Sequence, residues 1–164
     1  MNDSDDVRQD YLALRDTILS AQIATLDRNQ SPQSSYAPLV WLQQRPWLYL
    51  SELAQHTQNL RRDPAIGLML IEDESQARNP FARRRIYLQG SAQQIGRGHE
   101  SFVPVLDEFG RRFGAVMEVI EPLPDFHLFR VEPCEGRFIR GFGQAYELSG
   151  DGLETLNHID PRRG

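Results

Sequence analysis

Few side chains in this sequence can do chemistry, and their types narrow the possibilities. The four histidines are His56, His99, His127 and His158, and no pair is spaced for a metal-binding helix such as HExxH, so a zinc enzyme is not expected. The single cysteine, Cys134 in the run PCEG, cannot form an internal disulfide or a multi-cysteine metal site, and reads as a strand-end residue. All 18 basic residues are arginine; without lysine there is no Walker lysine and no Schiff base, which excludes covalent pyridoxal phosphate. Guanidinium forks suit carboxylates and phosphates, and the densest cluster is Arg83, Arg84 and Arg85. Side chains alternate in the strand that follows, so Arg84 faces away from the other two and at most two of them share a site. His56 opens the segment HTQNL directly after a strand, where free helix amides favour an anion, with Thr57 and Asn59 beside it. These two groups are expected to form one anionic pocket. His127, in DFHLF, shares a strand face with Phe129 and Val131 and reads as partly buried, while His158 lies in a tail that can present an axial ligand.

The run GFGQAY lacks the third glycine of a dinucleotide fingerprint and leads into no helix, so that reading is discarded. Taken as one strand through Leu148, it leaves Ile139, Gly141, Gly143 and Ala145 on a nearly bare face, open to close packing, a flat ligand or a second subunit.

The elements that must position these groups follow from periodicity. Val7, Tyr11, Leu14 and Ile18 recur at helical spacing and predict an amphipathic helix over Asp5 to Leu19; Phe102, Leu106, Phe109 and Phe113 predict another within His99 to Phe113. A short helix is expected between Ala54 and Asp63, before Pro64. Strands are expected at Ala21–Asp27, Ser35–Leu42, Trp47–Ser51, Ala65–Ile71, Ile86–Gly96, Phe126–Glu132 and Gly136–Leu148, with EDESQARNPFARRR as a loop and Pro133 dividing the last two. Strands without regular helix alternation suggest a small antiparallel barrel with peripheral helices. Residues 1–150 read as one cofactor-binding domain and 151–164 as a tail that is mobile unless a subunit or ligand fixes it. The 164 residues, 40% hydrophobic and 25% charged, suffice for a core without staples, and the net charge of −5 argues against a nucleic-acid surface and for a small anionic cofactor. No apolar run approaches the roughly 20 residues of a membrane helix, and the start MNDSDDVRQD is acidic rather than basic then apolar, so a cytoplasmic protein without a membrane partner is expected.

Three stretches, SELAQHTQNLRRDPAIGLMLIEDESQARNPFARRRIYLQGSA, EFGRRFG and DFHLFRVEPCEGRFIRGFGQAY, resemble the heme-utilisation branch of the pyridoxamine-phosphate-oxidase-like, FMN-binding split-barrel superfamily, over Tyr11 to Leu148. The resemblance implies a six-stranded antiparallel split barrel and a homodimer with two equivalent cofactor sites at its interface. It implies heme or FMN as cofactor, held among Ser35, Ser51, His56, Thr57, Asn59, Arg83 and Arg85. In heme-degrading members an axial histidine comes from the tail, supported by an aspartate of the other subunit; His158 and Asp125 stand for these here. The implied function is heme binding and oxidative heme degradation fed by an external electron donor; the alternatives are an FMN-dependent oxidoreductase and a cofactor-free binding dimer.

Overall fold

The structure, a computed structural model, describes residues 3–159. It is mainly β: α1 (Asp3–Thr17), β1 (Ser20–Leu26), β2 (Pro32–Leu42), β3 (Arg45–Ser51), α2 (Gln55–Arg62), β4 (Ala65–Ile71), β5 (Arg85–Ile95), α3 (Phe102–Phe113), α4 (Ala115–Ile120), β6 (Phe126–Gly141), β7 (Gln144–Ser149) and β8 (Thr155–His158). Strands pair in the order β3-β2-β1-β4-β5-β6, and β3 pairs again with β6, which closes a six-stranded antiparallel barrel; β7 and β8 extend the sheet beyond β6. This is the split barrel expected from the sequence.

Alternation builds the barrel wall. In β1, Ala21, Ile23 and Thr25 turn inward, while Gln22 and Ala24 face out. The apolar face of α1, with Val7, Tyr11 and Leu14, completes the inner core against Phe138 and Leu148. β3 is apolar on both faces because each is covered: Leu48 and Leu50 enter the barrel, while Trp47 and Tyr49 lie in a second core with Val105, Leu106 and Phe109 of α3.

Three expectations need correction. The stretch from Gly136 to Leu148 is not one strand. The chain reverses at Phe142–Gly143, with Gly143 at φ 66°, and Gly141 pairs back to Gln144, so no bare face of Gly141, Gly143 and Ala145 exists. Pro133 does not divide two strands. β6 runs through it with a bulge in which Cys134 is the extra residue, since Gln89 pairs with Glu135 and Gly90 with Pro133. Pro133 is tolerated because β6 has left β3 there and not yet met β7. Gly90 is required opposite it, for a Cβ there would lie 2.2 Å from the Glu132 carbonyl oxygen. Finally, residues 151–158 are docked rather than loose: Leu153 is buried in the inner core, β8 pairs with β7, and Glu154 binds Arg8 and Arg15 of α1. Residues 160–164 of the expected tail lie outside the described residues. α4, too short for its periodicity to stand out, was not expected.

Candidate functional site

α2 closes one mouth of the barrel. Its first turn has no side-chain cap, since Ala54 stands at the N-cap; instead the Thr57 hydroxyl donates to the Ser51 carbonyl at 2.6 Å. Inward residues of β1 and β2 meet the helix from below. Ser35 lies 3.0 Å from Nδ1 of His56, and Asn59 donates to Thr25 and Gln33 while accepting from Gln55 and Arg62. Thr57 and Asn59 are both fully buried. Burial lowers the His56 pKa, which keeps the ring neutral. The residues expected to greet an anion therefore hold the helix in the mouth, and no cation stands in the first turn of α2. A dianionic phosphate does not fit that set.

Beside the plug is a second polar cluster. Arg61 reaches Nε2 of His127 at 2.8 Å and also the carboxylate of Glu52; Gln94 approaches Nδ1 of His127. The Arg61 hydrogen bond, followed by His127, holds the Glu52 carboxyl below its usual range. Ser51 lies 3.5 Å from the Asp125 carboxylate, and the Asp125 carbonyl accepts from the Glu52 amide. Among the described residues the half-buried Asp125 carboxylate has one long side-chain hydrogen bond, from Ser51, at the start of β6.

The arginine cluster divides as strand alternation predicts, with a further split. Arg83 donates to the Glu72 carbonyl and to Glu74, and Arg84 donates to the Glu72 carboxylate at 2.9 Å. Arg85 turns to the outer face, with Nε 2.7 Å from the Tyr87 hydroxyl and the guanidinium over its ring. The ladders set Tyr87 opposite Arg137 and Arg85 opposite Ile139. An outer-face groove of about 540 Å³ runs past Tyr87, Gln89, Arg137, Ile139 and Glu147. Within one protomer Arg85 does not join the α2 residues: it pairs with Ile71 at the end of β4, whereas α2 leads into the start of that strand, about 20 Å away along the strand rise. The single pocket expected from the sequence is thus two separate surfaces.

His158 faces away from the groove. It pairs with Tyr146, which pairs with Phe138, and the rings follow one another at 5.2 and 6.2 Å on the α1 side of the sheet; its Nε2 lies 3.4 Å from the Gly143 carbonyl. Arg85, Tyr87 and Arg137 occupy alternate positions on the opposite face. The sequence reading missed Tyr87 and Arg137. Alternation from Arg85 points to Tyr87, but Arg137 joins it only through the β5–β6 register. Tyr87 and Ile139 give the groove a floor for one side of a flat molecule; its one cation, Arg137, stands with the carboxylates of Glu135 and Glu147, and Arg85 lies beside it, across the ladder from Ile139.

Comparison with known proteins agrees with this architecture. The family model of pyridoxamine 5'-phosphate oxidase matches residues 8–140. The chain belongs to this family. Within it the chain falls in the heme-utilisation branch of the split barrels: it is 40% identical over 139 residues to the heme oxygenase HutZ of Vibrio cholerae serotype O1, covering 85% of this chain and 79% of that one. A solved structure of HutZ, described as a heme storage protein, superposes with TM-score 0.73 at 34% identity over 76% of this chain and 88% of that chain. Campylobacter jejuni ChuZ superposes with TM-score 0.87 at 32% identity, covering 98% of this chain and 65% of ChuZ. Among the described residues no helix of this family member is long and apolar enough to cross a membrane.

Proposed function

We propose that this protein binds heme at the interface of a homodimer and opens the porphyrin ring oxidatively, using electrons from an external donor, in the cytoplasm. The observation that carries this reading is the 40% identity to a heme oxygenase over most of the chain. When bound, heme supplies both the substrate ring and the iron at which oxygen is reduced. The protein's part is to hold the ring and exclude water. Arg137 in the groove and Arg85 beside it offer charge-assisted hydrogen bonds to propionates, and Tyr87 and Ile139 offer an apolar floor. The outer face supports dimerisation: Tyr36 is 61% exposed there, and Ala24 and Gly67 pair across β1 and β4 with Met69 beside them. A second protomer on that face closes the open side of the groove. If heme binds, His158, turned from its own groove, would be presented across the interface as the iron ligand, and Asp125 of the other protomer would accept a hydrogen bond from its second ring nitrogen and strengthen it. FMN, the alternative, has less support, because the first turn of α2 presents neutral side chains bonded within the protein where a phosphate needs cations.

Titrating hemin and FMN separately into the purified chain tests the proposal. Hemin is expected to give a saturable Soret band at one heme per protomer, and His158→Ala to change its position and spin state. An FMN complex without a saturable hemin complex overturns the reading; a hemin spectrum indifferent to His158→Ala removes the axial assignment.

A further inference from the structure

The other mouth of the barrel, away from α2, carries a feature that heme chemistry does not use. One step beyond the last paired row of β4, β5 and β6, the inward positions become charged: Glu72, Arg84 and Arg140. With Arg78, Gly141 and Phe142 they line a cavity of about 620 Å³. It is distinct from the outer groove, because Arg84 and Arg140 face the opposite side of the sheet from their neighbours Arg85 and Ile139.

Among its described lining residues three guanidiniums, Arg78, Arg84 and Arg140, stand with one carboxylate, Glu72, which the Arg84 amide and Nε already occupy. Arg140 is anchored from the far side by Asp10 of α1 at 2.6 Å. The nearby acids Asp73 and Glu74 are spent elsewhere, Asp73 on capping the turn at Ser75 and Glu74 on Arg83. Arg78 makes no hydrogen bond or ion pair among the described residues, in a chain where most arginines are paired. A second, independent observation concerns shape. Phe142 sits at the tip of the tight β6–β7 turn, 70% exposed, and forms an apolar wall of the same cavity. A bulky apolar ring held out by a tight turn contributes nothing to the core, and beside the Arg78 guanidinium it makes a two-part surface: a fork for an oxyanion, a flat face for an aromatic group. Barrel mouths are common places for such sites.

We infer that this mouth is a binding site for a small aromatic oxyanion, with a phosphate or carboxylate group between Arg78 and Arg84 and a ring against Phe142. The site is independent of the heme reading, so it is tested on the cofactor-free full-length protein by isothermal titration calorimetry with inorganic phosphate, phenyl phosphate and benzoate. Phenyl phosphate or benzoate is expected to bind about ten-fold or more tightly than inorganic phosphate, and the tighter of the two identifies the head group. Arg78→Ala is expected to weaken that ligand by about ten-fold or more. Phe142→Ala is expected to reduce it to the affinity of a ring-free anion, while Arg28→Ala, on the far side of the barrel, leaves it unchanged. Arg78 and Phe142 are exposed, so neither substitution touches the core, and an unchanged melting temperature confirms this. Absence of binding by either aromatic probe at millimolar concentration, or binding indifferent to Arg78→Ala, overturns the inference.

Discussion

Asn59→Ala separates two accounts of the α2 mouth. In the structure the Asn59 amide is completely buried; it donates to Thr25 Oγ1 at 2.9 Å and Gln33 Oε1 at 2.6 Å, and accepts from Gln55 Nε2 at 3.1 Å and Arg62 at 2.9 Å. Truncation removes all four hydrogen bonds. Gln33, Gln55 and Arg62 have tips that can turn to water, so those three losses cost about 0.5–1.5 kcal/mol each. The Thr25 hydroxyl is buried and has no such escape, and leaving it short of a partner adds about 1–3 kcal/mol. Water entering the space offsets part of this, which leaves about 3–4 kcal/mol. For a chain of this size each kcal/mol lowers Tm by about 2–4 °C, so the melting temperature of the cofactor-free variant should fall by roughly 6–16 °C. Calorimetry together with urea unfolding at unchanged m-value measures it. A fall of less than about 2 °C, combined with a large loss of cofactor affinity, would falsify the plug and make Asn59 a ligand instead.

Gly90→Ala forces a methyl group against the Glu132 carbonyl, so the variant should lose several kcal/mol or fail to accumulate as folded protein, whereas Gly96→Ala, with open space around it, should melt like the parent. His56 has a folded pKa below the ordinary value of about 6.5, so as pH falls through that value the unfolded chain takes up a proton the folded chain resists, and stability drops until the folded pKa is passed. His56→Gln should flatten that part of the curve of urea midpoint against pH; an identical curve would show that His56 is solvated. Ala24→Arg places a charge in the middle of the outer face, and light scattering at about 10 μM should change from a dimeric to a monomeric mass, since an unpaired charge buried in an interface costs about 3–5 kcal/mol; a parent already monomeric at that concentration removes the dimer.

Much of this protein is written in local order. The spacing of Val7, Tyr11 and Leu14, and of Phe102, Leu106 and Phe109, marks helices because a helix repeats every 3.6 residues, and these residues are buried as that repeat requires. Alternation located the barrel strands and separated Arg84 from Arg85. The absence of lysine alone removed whole classes of chemistry. Family membership was legible too, since it rests on residue identity along the chain. Pairing between distant segments decided the rest. Thr57 and Asn59 look like anion ligands in sequence, but their hydrogen bonds go to Ser51, Thr25 and Gln33, partners that only barrel closure supplies. The alternation of GFGQAY continues across a point where the chain reverses, because the two-residue turn at Phe142–Gly143 shifts the facing by one residue and the irregularity between Ile139 and Gly141 shifts it back, so that Phe138 still faces with Tyr146. Arg137 meets Tyr87, and His158 turns from both, through a β5–β6–β7–β8 register in which the Cys134 bulge shifts every later partner by one residue. Periodicity records which face a side chain takes on its own strand, whereas register is a relation between strands, and only the folded chain contains it.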